Sequence, residues 1–136
     1  GRKLMADDGR RLVAGQHPFR ETVQRLEAAL TQRGLTIFAR IDHAANAAEV
    51  NLPLRPTLLV IFGNPKGGTV LMQNRQSVGL DLPLKVLVWE DAKGVVQLSY
   101  NSPAWIAERH GLGSGSTPTV TAMTNMMEEV VRETAV

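Results

Sequence analysis

The residues of this 136-residue chain that could do chemistry fall into three groups. The first is Gly63-Asn64-Pro65-Lys66-Gly67-Gly68-Thr69, which follows the apolar run from Thr57 to Phe62. Its glycines could expose backbone N–H groups, and a helix beginning near Thr69 would add its positive end. Lys66 could then complete an anion site. Asn64, Lys66, Gly67, Gly68 and Thr69 are therefore candidate ligand-binding residues, with Arg109 or His110 as helpers, and a carboxylate or phosphate as the ligand. The stretch is not a nucleotide phosphate loop, because Lys66 precedes the paired glycines instead of following them before Ser or Thr. Its plainer reading is a loop whose Gly and Pro serve backbone geometry alone.

The second group is Asp42-His43, Arg109-His110 and Glu90. Imidazole titrates near neutrality and a carboxylate can fix its tautomer. His43 or His110 with Asp42 or Glu90 could thus form an acid–base group if the fold gathers them. The same residues could ligate a divalent metal, but no His-x-x-x-His spacing is present and adjacent Asp-His side chains usually point apart. Structural hydrogen bonding is the plainer role, and no metal or cofactor is expected. The third group, Met123, Met126 and Met127, is pliable enough to line a cleft or a subunit interface, core packing being the simpler use. Trp89 and Tyr100 could share one wall of a cavity, although most such aromatics are core. Ser99, Ser102 and the threonines lie in no nucleophile elbow, so the motifs give acyl transfer little support.

Composition narrows the field. A 43% hydrophobic fraction suits a single folded domain. No apolar run approaches the roughly 20 residues that cross a bilayer, and without cysteine there is no disulfide or thiolate chemistry. The net charge is +2, yet five of the 15 basic residues stand at or before Arg20, against only Asp7 and Asp8 of the 13 acidic ones. The body lacks the clustered Lys and Arg that track phosphates, so nucleic acid is not an expected partner, nor is a membrane. A cytoplasmic location is the expectation, with export by a removed signal peptide left open.

The elements that must position these groups can be read in order. Residues before Arg11 read as a flexible arm, and Arg11–Gln16 as an edge strand. Pro18 suits the first turn of a helix whose stripe is Phe19, Val23, Leu26 and Leu30, ended by Gly34. In the next strand, Leu35, Ile37, Ala39 and Ile41 alternate onto one face. One or two helical turns over Ala44–Glu49 precede the strand Thr57–Phe62, and a short helix follows the glycine stretch. Asp81 caps or anchors the approach to a strand over Leu84–Asp91, which turns at Ala92-Lys93-Gly94 into Val95–Tyr100. Ser102 and Pro103 open a helix closed by Gly111. Residues 11–112 read as a single α+β domain and 113–117 as a linker, followed over 118–136 by a final helix that packs on the domain or on a dimer partner, with Val120, Met123, Met127 and Val130 on one stripe. Strands without long crossovers favour an antiparallel sheet with helices on one side, an α+β fold.

Five ordered blocks carry a family resemblance: Thr36–His43, Phe62–Thr69, Leu80–Asp91, Ser99–Asn101 and Arg109–Leu112. Together they resemble the prokaryotic family called domain of unknown function 302. The resemblance implies a curved antiparallel sheet similar to the TATA-binding-protein-like fold, and frequent homodimers; it implies no reaction. The expected function is a homodimeric binding module for a small anionic molecule at Gly63–Thr69. The alternative is a small enzyme built on His43 or His110.

Overall fold

The computed structural model describes residues 7–136. Five strands, β1 (Arg10–Ala14), β2 (Thr36–Asp42), β3 (Thr57–Gly63), β4 (Leu84–Glu90) and β5 (Val96–Asn101), form one antiparallel sheet in the order β1-β5-β4-β3-β2. The helices are α1 (Phe19–Gln32), α2 (His43–Glu49), α3 (Pro65–Asn74), α4 (Pro103–Arg109) and α5 (Thr117–Ala135), with 3-10 segments at Gln76–Asp81 and Ser114–Ser116. This is the α+β architecture that the strand order favours.

Alternation along the strands decides where the core lies. Val60, Phe62, Leu84, Val86, Val88, Val96 and Leu98 point to one face and are buried with Leu26 and Leu30 of α1 and Val120, Met127, Val130 and Val131 of α5. The register places Ile41, Leu59, Ile61, Leu87 and Trp89 on the opposite face, where none is fully buried. Tyr100 pairs with Val86 and Trp89 with Gln97, so the two aromatics stand on opposite faces and share no wall. Burial pushes the Tyr100 hydroxyl above its ordinary value, and the Glu128 carboxylate adds to the rise. Arg25 of α1 donates to the carbonyls of Glu133, Thr134 and Val136, satisfying groups that the end of α5 would otherwise leave open.

Three readings change. The even alternation of β2 is interrupted by a bulge at Phe38: Ile37 lies opposite Phe62, but Ala39 lies opposite Ile61. One extra residue reverses every later side chain. Ala39 and Ile41 therefore leave the core face, and Arg40 reaches it to pair with Glu27 of α1. Residues 1–6 of the expected flexible arm lie outside the described residues, whereas Asp7–Arg10 belong to the fold. The Ser102 N–H donates to Gly9 O at 2.7 Å, and Trp105 Nε1 donates to Asp7 O at 3.1 Å. Gly9 has φ +83° and lies so close under the indole that a Cβ there would come within 2.4 Å of it, so no other residue fits. Within the expected linker at 113–117, Ser114–Ser116 form a 3-10 turn with Ser116 buried and Thr117 already begins α5, which packs on its own domain.

Candidate functional site

The glycine stretch is not an open loop. Asn64 follows β3 and caps α3: its Oδ1 accepts from the Lys66 N–H at 3.0 Å, and Pro65 takes the first helical position, where a missing N–H costs nothing. The Gly68 N–H donates to Asn64 O at 3.1 Å as the first ordinary helical bond. Of this first turn, the Gly67 N–H alone has no partner among the described residues. Thr69 Oγ1 donates to Pro65 O at 2.7 Å.

The glycines admit methionines. A Cβ on Gly67 would lie 3.0 Å from Met123 Cε, one on Gly68 would lie 3.9 Å from Met72 Cε, and one on Gly79 would lie 3.0 Å from Met72 Sδ. Beside them opens a cavity of about 270 Å³. Phe38, Met72, Leu82, Pro83, Leu84 and Met123 give its apolar wall, and Asn64, Gly68 and Thr69 its polar edge. A second hollow of about 190 Å³ adjoins it, shares Asn64, Leu84 and Met123, and reaches Gly67 and Met126. Bulging of Phe38 and its exposure on β2 bring that ring to the cavity mouth.

A polar cluster lies on the same 3-10 segment that supplies Gly79 to the cavity. His110 Nε2 stands 2.5 Å from Asp81 Oδ2, and His110 Nδ1 stands 3.2 Å from Ser77 Oγ. Arg109 Nη1 donates to both Asp81 oxygens, at 3.0 and 2.9 Å, and its guanidinium lies 5.9 Å above the Trp105 ring. The His110 and Asp81 side chains are 9% and 18% exposed, so the pair is mostly removed from water.

The residues expected to act together are divided. Asp42 pairs across the sheet with Leu58, and Trp89 with Thr57, so Asp42, His43 and Glu90 cluster at one end of the strands. Asp81 and His110 lie beyond the other end, where Leu84 pairs with Phe62. The seven residues of β4, at about 3.3 Å each, put roughly 20 Å between them. Asp42 accepts from the Ala45 N–H at 2.9 Å as the cap of α2, and His43 beside it is exposed. The carboxylate that orients His110 is therefore Asp81, not Asp42 or Glu90. Lys66 is exposed and lines neither hollow, and Arg109 is engaged by Asp81. No group of three or more His, Asp or Glu suited to a metal occurs among the described residues.

Over residues 13–132 the chain matches the family described as domain of unknown function DUF302. The chain belongs to the DUF302 family. The crystal structure of an uncharacterised DUF302 protein from Bacillus stearothermophilus superposes with a TM-score of 0.83 at 17% identity, covering 93% of this chain and 98% of that one, which establishes a shared fold. Two proteins named fluoride-specific ion channel FluC 1, from Brucella suis and Brucella abortus, are each 48% identical over 117 residues, or 86% of this chain. The chain spans only 46% and 43% of their lengths. No helix among the described residues of this DUF302 domain is long and apolar enough to cross a membrane.

Sequence reading missed Ser77 and the role of Asp81. Asp81 appears in a resemblance block and reads there as a loop anchor; nothing in its spacing from His110, 29 residues on, signals contact. The Met72 contribution to the cavity was equally hidden, since one methionine in a short helix has no pattern.

Proposed function

We propose that this DUF302 domain is a binding module for a small molecule with an apolar body and one anionic end, such as a short aliphatic or aromatic carboxylate. The observation that carries this reading is the cavity of about 270 Å³ at the start of α3, lined mostly by apolar side chains with Asn64 and Thr69 among them. Asn64 engages its carbonyl oxygen on Lys66, which leaves its NH₂ to donate. The Gly67 N–H and the positive end of the ten-residue helix α3 favour negative charge beside it. Lys66, exposed in the same turn, adds only a screened attraction.

Dimerisation would bring the open sheet face, with Leu12, Leu59, Ile61 and Leu87, against a second copy. In the Brucella proteins ion conduction would belong to the length that this chain does not match, and the DUF302 part would respond to a ligand.

Calorimetric titration with hexanoate, benzoate, fluoride and phosphate tests the reading. The carboxylates are expected to bind and the inorganic ions to bind far more weakly. Gly68→Leu, whose side chain would grow into the cavity between Met72 and Leu82, is expected to abolish binding. Lys66→Ala should weaken it less than about tenfold, the most that a screened surface charge supplies. Equal binding of carboxylates by the Gly68→Leu protein would refute the site.

A further inference from the structure

We propose that Ser77, His110 and Asp81 form a nucleophilic centre that transfers acyl groups from small esters or thioesters. The two bonds of the imidazole define its chemistry. Asp81 can only accept at 2.5 Å from Nε2, so that nitrogen carries the proton. Nδ1 is left as an acceptor, and the Ser77 hydroxyl, 3.2 Å away, is the donor to it. This is the polarity that base-assisted attack requires, with the two ring nitrogens exchanged relative to the chymotrypsin arrangement. The centre is graded in exposure: Asp81 and His110 are mostly buried while Ser77 faces solvent, where a substrate can reach it. Arg109 fixes the carboxylate by donating to both its oxygens. Arg75 precedes the 3-10 segment, and its Nη2 comes within 3.9 Å of where a Cβ would stand on Gly111, next to His110. A guanidinium there can approach a developing oxyanion.

The step balances with water as the second substrate. Ser77 Oγ bonds to the ester carbonyl carbon as its proton passes to His110 Nδ1, and the carbonyl electron pair moves onto oxygen. Collapse of the tetrahedral adduct expels the alcohol or thiol, which leaves with the proton from Nδ1. Water then attacks the acyl-serine by the same route, and the carboxylic acid is released with Ser77 restored.

The centre is separate from the cavity, so the two readings fail separately. Incubation of the native protein with diisopropyl fluorophosphate, followed by peptide mass mapping, should place one adduct per chain on Ser77. Exposed Ser114 serves as the internal control. Ser77→Ala, a surface change with little risk to folding, should remove the adduct and any p-nitrophenyl acetate hydrolysis. His110→Gln should slow both by at least about 10²-fold, with circular dichroism checking the fold. Native protein whose Ser77 reacts no faster than Ser114, or a folded His110→Gln variant that labels at the native rate, would overturn the proposal.

Discussion

Two aspartate–histidine pairs stand at opposite ends of the sheet, and they behave oppositely. Asp42 and His43 are neighbours in sequence but not partners, because the carboxylate turns inward to cap α2 and the imidazole turns out to solvent. Asp81 and His110 are 29 residues apart and in direct contact. The difference lies in local demand. A strand running straight into a helix leaves amides unsatisfied, and the nearest carboxylate is drawn to them. Asp81 closes a 3-10 segment whose own bonds are made, so its oxygens are free for Arg109 and His110.

The contrast can be broken by mutation. Asp81→Ala strands a mostly buried imidazole and frees Arg109, and should cost about 1–3 kcal/mol of unfolding free energy. Urea denaturation checks this; a loss no larger than that of Asp42→Ala would erase the distinction. Asp42→Ala removes a helix cap and should cost about 1 kcal/mol, seen as a lower urea midpoint at unchanged slope. Gly68→Ala should stabilise by as much as about 0.8–1 kcal/mol, because its Cβ meets only ordinary contacts within an otherwise regular helix. A fall in melting temperature would show that the neighbouring side chains need the space at Gly68.

The smallest effect concerns acid. Hydrogen bonding from Gln97, then from the amides of Val95 and Lys93, holds the Asp91 carboxyl below its ordinary 3.8. A depressed folded value means that its contribution is complete above that ordinary value. It disappears as the pH falls through the lower folded value. Asp91→Asn should therefore flatten the acid limb of the stability profile below about pH 4 and leave the alkaline limb unchanged. An unaltered acid limb would contradict the hairpin role.

Much of the scaffold is legible from local signals. The stripe through Leu26 and Leu30 marks α1, Gly34 with φ +71° ends it, and Gly94 with φ +81° turns β4 into β5. What stays hidden depends on partners distant in sequence. The bulge at Phe38 follows no alternation rule, since its neighbours remain apolar on both sides of the extra residue. Gly67 and Gly68 suggest a loop by propensity, yet they lie in a helix; at Gly67 the terminal methyl of Met123 from α5 takes the space that a Cβ would need. Ser77 belongs to no motif, and only the fold brings it to His110.

The hollow at the start of α3 is tested most directly by following backbone amide and methionine methyl resonances during titration with hexanoate. Saturable shifts confined to Asn64–Thr69, Met72 and Met123, with the His110 ring unmoved, are expected. Shifts absent from those residues, or gathered instead around surface lysines, would contradict a binding role for the cavity.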